Sequence, residues 1–261
     1  MANTELLELL EQGVESWNQW RAAHPDAEAD LSGAKLIGWI CSGANFKGVN
    51  LQDSDLSGVS LNGADLSGAN LVRTRLFGAD LHKTILDRAN LTGATLKRAD
   101  AQYASFRDCC LDGANMVGAE LANADFTGAK LHHTNLERAD LTRATLVASQ
   151  LHGANLNSAR LMHATLKSAI LQAANLTDSR FNRANLTEAD LTAAIFDRTS
   201  FMGVNLTGAI LLETQTGGAN LSGANLNNAT LPPVEEAPYV DPTSPEEYAA
   251  RALHDLMLGE V

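Results

Sequence analysis

The chain has 261 residues and a formal net charge of −12, and aromatic side chains make up only 5% of it. So few large rings exclude a conventional globule packed from mixed large side chains, and no run of about 18 apolar residues is present to form a membrane-spanning helix. The three cysteines, Cys41, Cys109 and Cys110, form neither a metal-ligand spacing nor an even disulfide framework, which points to a reducing, cytoplasmic setting.

Residues 1–28 read as an N-terminal helical cap. Within them, 4–23 predict one amphipathic helix with Leu6, Leu7, Leu10, Val14 and Trp17 on a single stripe, stopping at His24-Pro25. The first ten residues carry glutamates where a signal peptide would carry lysine or arginine, so export by that route is not expected. All three tryptophans, Trp17, Trp20 and Trp39, lie at this end.

Residues 29–231 carry an internal period of five without insertion or deletion. Stepping by five from Leu31 to Leu231, every position is Leu or Phe except Cys41, Ala101, Met116 and Thr216. Two residues earlier, from Ala29 to Ala229, lies a second phase of Ala and other small residues, interrupted only by Trp39. A strict period of five fits neither a helix nor a straight strand, but it fits a chain that turns a corner every five residues. The large and the small residue then point the same way, as alternate side chains of a short strand do, towards a common axis. Trp39 is too large for its phase, so the sequence predicts that it leaves the regular coil and packs beneath the helix with Ile37 and Ile40.

Of the 20 glycines, 17 fall two residues after a large centre, where a type II turn needs positive φ. Between Leu131 and Phe201 only Gly153 keeps that phase, so other turn types are predicted there. The residue before each centre is often Asn or Asp. Stacked examples such as Asn115, Asn135, Asn155 and Asn175, or Asn185, Asn205 and Asn225, suit amide ladders along the axis or bonds to the corner backbone.

The pattern A-(D/N)-L-x-x, as in Ala64-Asp65-Leu66, Ala69-Asn70-Leu71 and Ala154-Asn155-Leu156, resembles that of the pentapeptide-repeat family over about three quarters of the chain. The resemblance implies an all-β solenoid, a right-handed quadrilateral β-helix with four pentapeptides per coil, with short helical caps at both ends. About ten coils at roughly 4.8 Å each make a rod of roughly 50 Å. In that register Phe106 stacks on Phe126 and Phe181 on Phe201. The stretch 13–20 (GVESWNQW) is similar to the leaders of cyanobacterial members.

Residues 232–261 read as a linker and a C-terminal helix. Pro232-Pro233 stops the repeat, and Ser244-Pro245-Glu246-Glu247 is a capping box ahead of an apolar stripe that includes Leu253, Leu256 and Met257. That stripe is expected either to fold back on the last coils or to form a homodimer.

No GxSxG, P-loop, HExxH or CxxC occurs, and a filled Leu/Ala interior leaves no cleft, so neither catalysis nor a cofactor is expected. Asp112, His132, His152 and Gln172 share one outward column. His132 and His152 are the candidate metal ligands, on a flat face that lacks the enclosing third and fourth ligands. The resemblance also brings in the gyrase-protecting and gyrase-inhibiting members, which mimic duplex DNA. Charge placement argues against that reading: residues 1–30 and 232–261 each carry −6, whereas 31–231 hold 17 acids and 17 bases. The chain also lacks the projecting loops that such members often carry. One acidic column (Asp80, Asp100, Glu120, Asp140) is followed on the same face by Arg160 and Arg180, with Arg143, His163 and Arg183 close by. Those basic residues, together with Leu253, Leu256 and Met257, are the candidate interaction surface. The function expected is a non-enzymatic scaffold or protein–protein interaction module with an unidentified protein partner and neither nucleic acid nor membrane. The alternative is a DNA-mimicking, gyrase-binding protein.

Overall fold

The computed structural model describes residues 3–232 as two short helices followed by a β-helical solenoid. Every β-bridge is parallel and pairs residue i with residue i+20, unbroken from Asp30↔Asn50 to Ile210↔Thr230. A chain that turns every five residues has room for single bridges and not for long strands, and one bridge per pentapeptide is what forms. The C-terminal helix expected around Leu253, Leu256 and Met257 lies outside the described residues.

The five backbone N–H groups of a repeat each have a defined destination, which explains the consensus. Leu31 N donates to Asn50 O at 2.7 Å and Gly33 N to Gln52 O at 2.8 Å, both across to the next coil. Ala34 N closes the corner onto Leu31 O at 3.1 Å, and Asn50 N reaches back to Ala29 O at 2.9 Å. The remaining N–H, just after the centre, is taken by the side chain just before it: Ser32 N donates to Asp30 Oδ1 at 2.9 Å. The same bond recurs at Ser67–Asp65, Val72–Asn70 and His82–Asp80. A short side-chain oxygen completes the bonding, so Asn and Asp prevail at this phase. In the Asn185, Asn205 and Asn225 column each amide oxygen serves its own corner. Ladder bonds along the axis are fewer, as from Asn155 to Asn135 at 3.1 Å.

Inside, the leucine column from Leu31 to Leu211 is sealed from solvent. Phe106 and Phe126 stack with ring centroids 4.6 Å apart and planes within 2°, and Phe181 and Phe201 stack at 5.2 Å. Where the small inward residue carries a hydroxyl, that hydroxyl is buried and paired. Thr74, Thr134 and Thr199 donate to the centre carbonyl of the preceding coil, whereas Ser54, Ser149 and Ser179 donate within their own corner.

The corners between Leu131 and Phe201 do not change turn type. Every one keeps a left-handed residue at the glycine phase, among them Arg143 (φ 61°), Ala148 (φ 54°), His163 (φ 61°), Ala173 (φ 54°) and Arg183 (φ 59°). An L side chain pays about 1–2 kcal/mol for this backbone. The cost is borne because another turn would break both the corner bond and the coil-to-coil bond of that residue, such as Ala173 N to Thr192 O at 2.9 Å. Ala173→Gly is therefore expected to raise stability by up to about 1 kcal/mol, the relieved strain exceeding the ~0.4–1 kcal/mol of added unfolded-chain entropy. Gly63→Ala, at φ 65° with open space around the new methyl, should lower it by a similar amount. Denaturant unfolding of both variants checks the pair, and shifts of the same sign would contradict this account.

The N-terminal cap is two helices, α1 (Thr4–Glu11) and α2 (Val14–Ala23), and not one. Gly13, at φ 112°, breaks the predicted helix between them. The break lets both segments lie against the first coil. Leu6 and Leu10 from α1 and Trp17 from α2 are buried there, with Leu7 and Val14 partly so. Trp39 stays in the regular ladder: its N donates to Leu36 O and its O accepts from Ser60 N. It is partly buried, but Ile37 and Ile40 are not beneath a helix, being 58% and 81% exposed. The first coil has no coil before it, so a large side chain at Trp39 displaces no stacked neighbour.

Candidate functional site

The cap satisfies the open edge of the first coil on only part of its perimeter. Trp17 Nε1 donates to Asn45 O at 2.8 Å, Asn18 Oδ1 accepts from Asn45 N at 2.8 Å, and Arg21 Nη2 donates to Lys47 O at 2.7 Å. Asn3 N donates to Asp30 O at 2.8 Å. Arg21 is buried, and burial pushes its guanidinium below the ordinary arginine value. The sequence analysis does not single out Asn18 and Arg21, because both are polar; the one available signal is that Arg21 follows Trp17 of the apolar stripe by one helical turn. Among the described residues, the edge N–H and C=O groups of Lys35 and Ile40 have no protein partner, and Ile37 and Ile40 stand beside them.

Arg143, Arg160, His163, Arg180 and Arg183 are all exposed on the side of the solenoid that carries the column from Ile40 to Asn220. Arg160 is bonded to Asp140 of the preceding coil. Burial alone would raise the Asp140 carboxyl, but the bonds from Arg160 and Thr142 outweigh it and hold the group below the ordinary aspartate range. Among the described residues Arg143, Arg180 and Arg183 have no carboxylate partner, and Asp80, Asp100 and Glu120 have no cationic one. Much of the remaining rod charge cancels between neighbouring coils. Arg73 grips Asp53 and Arg198 grips Asp178 through paired 2.7 Å bonds.

The candidate metal column does not assemble a site. His132 and His152 have ring centroids 6.4 Å apart, and His133 approaches His152 more closely, at 5.6 Å edge to face. Asp112 Oδ1 is occupied by the backbone N of His132 at 3.0 Å, His132 Nε2 lies 3.0 Å from Gln150 Oε1, and Gln172 donates to Asp190 at 2.7 Å. Among the described residues no three His, Cys, Asp or Glu side chains gather as a metal would require. The two buried thiols are equally unprepared for chemistry: burial pushes Cys41 up to about 11 and Cys109 to about 12, away from the thiolate. No helix among the described residues is long and apolar enough to cross a membrane.

Residues 79–156 match the family model described as pentapeptide repeat region. The model described as pentapeptide repeats (8 copies) matches 27–63, 40–76, 144–183, 159–198, 184–215 and 199–232. The chain belongs to the pentapeptide-repeat family. No curated protein sequence matches it significantly.

Among solved structures, this pentapeptide-repeat protein is similar to HetL, a protein involved in heterocyst differentiation regulation from the cyanobacterium Nostoc sp. strain PCC 7120. The two are 32% identical, with 78% of this chain and 85% of HetL covered and a TM-score of 0.41. A trypsin-treated form of QnrB1, a plasmid-mediated fluoroquinolone resistance protein, is 22% identical over 76% of this chain and 89% of its own, with a TM-score of 0.38. A pentapeptide repeat protein of the Arabidopsis thaliana thylakoid lumen is 32% identical, with 39% of this chain and 68% of its own covered and a TM-score of 0.34.

Proposed function

We propose that this protein is a non-enzymatic interaction scaffold: a right-handed, four-sided rod of about ten coils that works in the cytoplasm by docking a protein partner. The observation that carries the reading is the half-open edge of the first coil. Unpaired backbone groups at Lys35 and Ile40, next to the exposed side chains of Ile37 and Ile40, form a template for an incoming extended segment. Backbone bonds would supply affinity there and the apolar side chains selectivity, without a cleft or a reactive group. The balanced charge of the rod weighs against mimicry of DNA, whose recognition rests on phosphate charge.

A supercoiling assay with purified gyrase separates the two classes of function. The chain is expected to leave supercoiling and its inhibition by quinolones unchanged at micromolar concentration, and inhibition or protection would overturn the scaffold reading. Capture from the native cell should yield a partner that is lost on Ile40→Glu and retained on a substitution at the far end of the rod. A partner insensitive to Ile40→Glu would remove the edge from the proposal.

A further inference from the structure

Among the described residues, only one outward column of the solenoid segregates its charge along the rod. From the N-terminal side it runs through Asp80, Asp100, Glu120 and Asp140, and then through Arg160 and Arg180. Its middle is neutralised internally by the Asp140–Arg160 pair, while among the described residues the acids on one side and Arg180 on the other have no ionic partner. Asp80 and Asp100 cap corners by accepting from His82 N and Gln102 N, Asp80 also accepts from Ser60 Oγ at 3.1 Å and Glu120 from Gln102 Nε2 at 3.0 Å, but all these donors are neutral and leave the negative charge uncancelled. Lys83 and Arg98 moderate the acidic half from its corners, and Arg143 and Arg183 reinforce the basic half.

We propose that this face is a homotypic interface on which a second copy of the chain lies antiparallel. A two-fold axis in the plane of the contact, perpendicular to both rods, lays the column on itself with its direction reversed, so one surface serves both copies. Placed between the Glu120 and Asp140 coils, the axis overlaps the column from Ile40 to Asn220 end to end. Asp80 then faces Arg180 of the second copy, and Asp100 faces its Arg160. Glu120 meets Asp140 across the axis, where Arg160, already bonded to Asp140, and Arg143 at the corner of the same coil compensate the charge. A parallel arrangement would set arginine on arginine and acid on acid, which is unfavourable.

The expected area decides the character of the contact. About ten coils at ~4.8 Å, by a side of three extended residues or ~10 Å, give ~500 Å² per copy, at the low end for specific interfaces. The association is therefore weak, led by charge and sensitive to salt.

Sedimentation of the full chain at about 100 µM tests this, in roughly 20 mM and roughly 500 mM salt. A dimer is expected at low salt, with affinity at least about tenfold weaker at high salt. R180E and D80R should each weaken self-association by about tenfold or more, and an equimolar mixture of the two should restore a heterodimer, because every reversed contact again joins opposite charges. D80R also loses the corner bond to His82, so a second pair checks the register independently. Ser60 faces Ser200 of the second copy, and S60C mixed with S200C should cross-link under oxidation above the wild-type level. A monomer at low salt, a dimer indifferent to salt and to R180E, or mixtures that neither restore association nor cross-link would overturn the proposal. R180E, D80R and the cysteine pair all leave Ile40 and the unpaired edge groups beside it unchanged, so the interface and the scaffold reading can fail separately.

Discussion

Phe106→Ala is expected to destabilise the protein by about 3–5 kcal/mol, among the largest single effects available in this fold. The ring is sealed from solvent and lies flat on Phe126 at 4.6 Å, so removing it opens a cavity that the ladder around it cannot close. Collapse would require the coil to narrow, and each corner is tied above and below by backbone bonds such as Asp108 N to Thr127 O at 2.9 Å. Stability in a solenoid is carried by nearest-neighbour interfaces, so a defect in the middle weakens the rod on both sides. Guanidinium unfolding followed by circular dichroism checks it, with Phe106→Leu as the control that keeps most of the volume and should cost less than half as much. A loss below about 1 kcal/mol for the alanine variant would mean that the stacked rings are not tightly packed.

Trp17→Ala should have a comparable local cost, about 3–5 kcal/mol, but confined to the cap and the first coil. Trp17 is fully buried, its ring lies 5.4 Å from that of Phe46, and its Nε1 proton is the bond that covers the carbonyl of Asn45. Losing it removes packing and exposes an edge acceptor together. The helices α1 and α2 are short and touch the rest of the molecule through this seam, so they should detach while the later coils persist. Hydrogen exchange reads this directly. The amide of Asn45, bonded to Asn18, should lose protection early, whereas amides near Leu131 stay protected. Uniform loss of protection along the rod would contradict a cap that acts locally.

Most of the fold was legible in the chain because the determinants repeat. A large and a small inward residue every five positions specify a coil, and coils stack in only one register that keeps Phe106 on Phe126 and Phe181 on Phe201. The glycine phase was legible too, but its meaning was narrower in the sequence than in the molecule. Arg143, Ala148 and His163 adopt the same left-handed corner as Gly153, since coil-to-coil bonds override the preference of the individual residue. The sequence signals a helical, apolar N-terminal segment, but not its break at Gly13 or the anchoring by Asn18 and Arg21, because those bonds reach carbonyls 25 and 26 residues away.

The candidate surface was only partly legible. Sequence spacing placed Arg143, Arg160, His163, Arg180 and Arg183 together, and the structure keeps them on one exposed side. Only the fold distinguishes Arg160, already bonded to Asp140, from Arg180, and leaves Ile37 and Ile40 uncovered beside an unpaired edge.

The amino-acid sequence alone determines that this protein is a pentapeptide-repeat solenoid with a Leu/Ala interior, because the inward positions and the bonding of each corner recur in every repeat. Only the tertiary structure decides which outward groups are satisfied and which remain free. Beyond the Asn/Asp that completes each corner and the left-handed corner residue, outward side chains are not constrained by the coil, and partners such as Arg73 and Asp53 or Arg107 and Asp125 stand about twenty residues apart along the chain but one coil-step apart in space.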